Sequence, residues 1–197
     1  MVAAQSLFPI EPAAEEQRLV VSGVPWETYV MLREALDHTN LRMTYLEGTL
    51  EIMSPSRRHE VVKSYLARFL ELFCALRDIP LFPYGSTTWR SEAKARGLEA
   101  DECYSIGEHE LPEIAIEVIV SHGSVDKLEV YRGLGIREVW LVEAGVCTVL
   151  ALRDTGYVKI PSSEVLPQVD LVRLMKYAMR ADHPVALREF LDELRSR

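Results

Sequence analysis

One carboxylate constrains this chain more than any other residue: Glu117 stands inside the apolar run Glu113-Ile-Ala-Ile-Glu-Val-Ile-Val120. A run of this length, rich in Ile and Val, reads as a central strand covered on both faces. An ionised group there has a desolvation cost that something must offset. Either a cation meets Glu117, or the residue opens onto a pocket.

The rest of the chain is consistent with a single domain built around that strand. At 197 residues, 48% hydrophobic and 26% charged, it falls within the roughly 50–250 residues of a typical domain. No stretch approaches the roughly 18 uninterrupted apolar residues of a membrane helix, and residues 1–10 carry no basic leader, so the expectation is a soluble, cytoplasmic protein. Cys74, Cys103 and Cys147 are odd in number, far apart and without a CxxC pair, which points to buried free thiols over a disulfide framework or zinc site. The net charge of -8 argues against a broad electrostatic grip on nucleic acid. A local basic groove stays open, with Arg57 and Arg58 preceding Lys63 and Arg68, and with Arg90, Lys94 and Arg96 clustered later. Ordinary solvated charge accounts for each cluster equally well.

In chain order, residues 1–22 lack firm periodicity and read as a loose N-terminal arm, leaving residues 23–197 as the domain. Residues 25–37 have helical spacing behind Pro25. Glu47-Gly48 looks like the turn of a hairpin between residues 41–47 and 49–53. Ser54-Pro55 is the expected start of a long helix ending near Arg77. A strand is expected over 81–88, a charged loop or short helix over 89–98 and another strand over 101–106. After the run 113–120, Ser124 is the candidate cap of a helix over 125–134 that Gly135 ends. Three more strands (136–142, 147–152, 157–160) and two helices (171–179, 185–194) complete the chain.

Candidate chemistry comes from Asp101, Glu117 and Lys127. Consecutive strands usually neighbour each other, so the two acids can share one strand end. Lys127, Tyr131 and Leu134 share one helical face, and a lysine on it can meet a carboxylate at the end of the preceding strand. Such a group would hold a hard divalent cation beside a positive charge, which phosphodiester hydrolysis requires. The bland alternative is a buried Glu117–Lys127 ion pair with Asp101 as an ordinary turn residue.

The segments Thr44-Tyr-Leu-Glu-Gly-Thr-Leu-Glu-Ile-Met-Ser-Pro55, Gly85-Ser-Thr-Thr88, Arg96-Gly-Leu-Glu-Ala-Asp-Glu-Cys-Tyr104, Ala115-Ile-Glu-Val118, Asp126-Lys-Leu-Glu-Val-Tyr131 and Arg137-Glu-Val-Trp140 together resemble the Uma family of restriction-endonuclease-like proteins. The likeness runs from about Trp26 to the C-terminal helices and is specific in order and spacing. It implies an α/β (α+β) fold with a restriction-endonuclease-like core, a mixed central sheet flanked by helices. It also implies a Mg²⁺- or Mn²⁺-dependent endonuclease acting on nucleic acid, DNA before RNA, and a homodimer or higher homo-oligomer. Asp101 and Glu117 then bind metal and Lys127 completes the catalytic group, supplied by the following helix because the usual lysine position is Ile119. The proline usual before the first acid is Ala100. An acid frequent at Thr44 is missing, and Glu47 or Glu51 could replace it only if the hairpin turns them inward. His59 matches a frequent family histidine.

Substrate contacts expected on this basis are His59, Glu47, Arg57, Arg58, Thr88, Arg90 and Glu99. Ser121 and His122 lie just past the central strand, where ligands often bind in α/β folds, although capping explains them nearly as well. Trp26, Trp89 and Trp140 read as core or interface. Two other functions stay open: a catalytically inactive relative serving as an assembly or regulatory module, and hydrolysis of a small phosphoester.

Overall fold

The computed structural model describes residues 16–196. The strands are β1 (Gln17–Ser22), β2 (Arg42–Leu46), β3 (Thr49–Ser54), β4 (Leu81–Pro83), β5 (Thr88–Ser91), β6 (Arg96–Glu99), β7 (Glu102–Ile106), β8 (Ile114–Ile119), β9 (Glu138–Glu143), β10 (Val146–Arg153) and β11 (Gly156–Ile160). The helices are α1 (Trp26–Ala35), α2 (Arg57–Leu76), α3 (Lys127–Leu134), α4 (Leu171–Ala178) and α5 (His183–Arg195). Two sheets result. The first is antiparallel, in the order β1-β3-β2-β6-β5. The second, β11-β10-β9-β8-β7-β4, is mixed, because β8 and β9 run parallel across the α3 crossover while its other pairs are antiparallel.

Alternation along β8 decides the layering, since successive side chains of a strand point to opposite faces. Ile114, Ile116 and Val118 join Trp140, Val142 and the apolar faces of α2, α4 and α5 in one core. Ala115, with Cys103 and Val139, joins Val130 and Tyr131 of α3 and Leu98 of β6 in a second. Glu117 has the parity of Ala115 and therefore faces α3. Against the first sheet, α1 closes a smaller core of Tyr29, Met43, Tyr45 and Leu50. Among the described residues no helix is long and apolar enough to cross a membrane, and all three cysteines are free.

Several local expectations need correction. Ser54 ends β3 and does not cap a helix, because a residue before proline is biased to extended backbone. Ser56 caps α2 instead, its hydroxyl accepting from the His59 N–H at 3.2 Å. Likewise Asp126, not Ser124, caps α3, with Oδ1 accepting from the backbone of Leu128 and Glu129 at 2.9 and 3.3 Å. The expected strand over 81–88 splits between the two sheets: Pro83 ends β4, Gly85 takes a positive φ of 60°, and the chain re-enters as β5. Of the expected loose arm, residues 1–15 lie outside the described residues. Residues 17–22 are a strand paired with β3 from Gln17↔Ser54 to Ser22↔Thr49. Its Leu19, Val20 and Val21 are exposed, so no alternation marks it; the backbone ladder to β3 orders it.

Candidate active site

Glu117 meets its cation. Lys127, the first residue of α3, donates to Glu117 Oε2 at 2.6 Å, and the Tyr131 hydroxyl one turn later donates to Oε1. The i, i+4 spacing of Lys127 and Tyr131 puts both over one carboxylate that is only 3% exposed. Burial and the nearby Asp101 charge raise the Glu117 pKa against the pull of Lys127. For Lys127, burial works downward but the Glu117 and Asp101 charges prevail, so its pKa rises and the ammonium form is held.

Asp101 lies one step beyond the last β7–β8 pair, Glu102↔Ile116. Continuation of that register places it opposite Glu117. Its Oδ2 accepts from the Val118 N–H at 2.8 Å and lies 3.0 Å from His59 Nε2. Burial would raise the Asp101 pKa, but the His59 bond, the Lys127 charge and the Val118 N–H together lower it. His59 responds reciprocally: burial works downward, yet Asp101, with smaller help from Glu16 and Glu60, lifts its pKa above the usual value. Asp101 and His59 are both 1% exposed. The second oxygen of Asp101, Oδ1, is buried and has no hydrogen-bond partner among the described residues.

A third carboxylate approaches from the other sheet. The hairpin turns Glu51 inward to 2% exposure, where its Oε2 accepts from the Ser124 N–H at 2.6 Å and its Oε1 accepts from Arg18 Nη1 at 2.6 Å. Arg18 lines a cavity of about 210 Å³ together with Glu117, Lys127, Tyr131 and the 121–123 turn. Neither Arg18 nor Glu16 carries a recognisable sequence signal. Their contacts cross between sheets and join residues about a hundred positions apart.

The other expected contacts disperse. Glu47 is largely exposed and pairs with Arg96 at 3.3 Å, the turn carrying its side chain away from the cavity. Glu99 is buried against Arg33 at 3.0 Å and the Met43 N–H, facing α1. Thr88 is the cross-strand neighbour of Glu99, and Arg90 reaches towards Glu34 at 3.8 Å. Arg57 and Arg58 are exposed, and Arg58 borders a groove with Val118–Val120 and Arg180 beside the end of β8. His59, expected as a substrate contact, instead sits behind Asp101.

Among the described residues no three His, Cys, Asp or Glu side chains converge as a ready-made metal cage. Mg²⁺ needs less, since it commonly takes one or two carboxylates and completes its shell with water and substrate phosphate oxygens. Asp101 Oδ1 is a free buried donor of that kind, and Glu117 stands beside it, although an ion would share Glu117 with Lys127 and Tyr131. The donor set fits a hard divalent cation.

Compared with known families, residues 26–179 match a family model described as "Putative restriction endonuclease". No curated protein matches the chain.

Proposed function

This chain belongs to the Uma2 family, and on that premise we propose that it is a Mg²⁺-dependent endonuclease that hydrolyses phosphodiester bonds in DNA. The observation that carries the reading is the gathering of two buried carboxylates and one ammonium, with one carboxylate oxygen, Asp101 Oδ1, left unpartnered among the described residues. Structural ion pairs normally satisfy their oxygens, and a buried orphan is costly unless something uses it.

In this mechanism Asp101 and Glu117 would hold the metal, which when bound would polarise the scissile phosphate and acidify a water. His59 fixes the orientation of Asp101 through Nε2 and favours its charged form. Tyr131 fixes Glu117. Lys127 stays protonated and lies where its charge offsets the negative charge that builds on phosphorus as the water oxygen attacks and the P–O bond to the leaving sugar breaks. The aliphatic wall of Val139, Leu141 and Leu128 around the cavity lowers the local dielectric and strengthens these interactions.

Incubation with supercoiled plasmid and with single-stranded DNA, each with Mg²⁺ or Mn²⁺, tests the assignment. Wild type is expected to cut, and Asp101→Ala and Glu117→Ala to lose on the order of 100-fold or more. Cleavage that survives both substitutions would overturn it.

A second reading, a catalytically inactive homo-oligomeric module, is favoured by one observation. Val146, Val172 and Met179 are 63%, 85% and 36% exposed and line a common groove. Calorimetric titration with Mg²⁺ separates the two: binding abolished by Asp101→Asn supports the enzyme, and absence of binding supports the module.

A further inference from the structure

The Glu16 side chain is fully buried, with 0% exposure. Its Oε2 accepts from Arg18 Nη2 at 3.0 Å and from the Ser121 hydroxyl. Its Oε1 is buried and has no hydrogen-bond partner among the described residues. Arg18 is fixed from three other sides, by Glu51 Oε1 at 2.6 Å, the Ser121 carbonyl at 2.9 Å and the Ser121 hydroxyl at 3.2 Å.

This is an anion site with a carboxylate in it. Arg18 and Lys127 line the same cavity. Both cations, each paired with a carboxylate, face one cavity beside the proposed metal ligand Glu117, where a phosphate could bridge them. An Arg fork and a hydroxyl match phosphate oxygens well. Glu51 and the Ser121 carbonyl hold the Arg18 guanidinium in place whether or not Glu16 is present, so the donors are preformed.

We propose that Arg18 and Ser121 form a seat for a phosphodiester group of the substrate, and that the Glu16 carboxylate occupies this seat in the free protein as an intramolecular stand-in. The identity of the ligand rests on the nuclease reading; the competition between Glu16 and an anion does not. A substrate phosphate displaces the carboxylate, takes over Arg18 Nη2 and the Ser121 hydroxyl, and leaves Glu51 on Nη1. The strap raises the threshold for binding: a seat filled by Glu16 in about nine molecules of ten weakens apparent affinity about tenfold.

The test measures binding of a short fluorescent DNA duplex in EDTA, where no cleavage competes, with inorganic phosphate as a second probe, for wild type, Glu16→Gln, Arg18→Ala and Ser121→Ala. Glu16→Gln is expected to bind duplex about tenfold more tightly. Arg18→Ala should bind about tenfold more weakly and depend less steeply on salt, by about one ion. Glu16→Asp, too short to reach the seat, should reproduce the tightening if Glu16→Gln folds poorly, and thermal unfolding reports folding of each variant. Duplex affinity of folded Glu16→Gln equal to or weaker than wild type, or of folded Arg18→Ala equal to wild type, overturns the proposal. Tightening of phosphate but not duplex overturns the nucleic-acid assignment of the seat. Wild-type cleavage that depends on Asp101 while Glu16→Gln leaves binding unchanged sinks the seat alone; tightening in a protein that never cleaves sinks the nuclease reading alone.

Discussion

Lys127→Met removes the cation from Glu117 and leaves its carboxylate, 3% exposed, with only the Tyr131 hydroxyl. Breaking a buried pair from one side costs about 3–5 kcal/mol. Here the Lys127 side chain is 26% exposed and Tyr131 still donates, so the expected loss at neutral pH is about 2–3 kcal/mol. For a chain of this size that is roughly 4–12 °C in Tm. The loss must depend on pH with a definite sign. The folded pKa of Glu117 already lies above its ordinary 4.5, and without Lys127 it rises further. A carboxylate whose folded pKa is raised leaves stability intact below its unfolded pKa and loses it as pH rises through the folded one. The deficit of Lys127→Met is therefore greatest at neutral and higher pH and shrinks towards pH 4.5. Urea unfolding of wild type, Lys127→Met, Glu117→Gln and the double variant, each in EDTA, measures this as a double-mutant cycle. The double variant should recover most of the single-variant loss, since a neutral pair in place of a buried ion pair is often no less stable. Additive losses, or a Lys127→Met deficit under about 0.5 kcal/mol at pH 7, would refute the argument that Lys127 offsets the burial of Glu117.

His59→Gln should cost about 1.5–3 kcal/mol at pH 5. The His59 pKa is raised, so its contribution is complete below 6.5 and fades as pH rises through the folded value, whereas Asp101, whose pKa is lowered, contributes above 3.8 and is lost as pH falls through its own folded value. Unfolding at pH 5 and pH 9 checks this, and a deficit that grows with pH contradicts it. Glu138 offers a structural comparison: only 1% exposed, it accepts from Trp140 Nε1, the Ser163 hydroxyl and the backbone of Glu164 and Val165 at 2.6–2.9 Å. Glu138→Ala should lose about 2–4 kcal/mol in urea unfolding, with DNA cleavage per folded molecule unchanged.

Much of this architecture is readable from local pattern. The Glu47-Gly48 turn forms where expected because both residues take positive φ, 47° and 88°, the type I′ geometry that matches strand twist. Gly135 ends α3 at φ 81°, as a C-terminal glycine should. The Glu117–Lys127 contact is equally local, a strand end and the start of the next helix joined by a short loop. The caps of α2 and α3 fall two residues beyond Ser54 and Ser124 because Ser54-Pro55-Ser56 and Ser124-Val-Asp126 each offer two capping side chains, and only the backbone path selects between them. Glu138, next to Arg137 at the start of a strand, had no pattern to mark it as buried; the 163–165 turn that supplies its donors is a distant part of the chain.

The sequence alone determined that Glu117 had to find a partner, because an ionised group inside an apolar strand loses its hydration whichever partner then meets it. It also determined that Lys127 and Tyr131 share a face, since helical periodicity is a property of the local backbone. Only the tertiary structure decided that Asp101 keeps one buried oxygen without a partner among the described residues, that His59 stands behind it, and that Arg18, held by Glu51 and Glu16, reaches the cavity beside Glu117 from the other sheet. Those contacts depend on how two sheets register across α3. That register is set by the summed packing of many side chains, and no short segment encodes it.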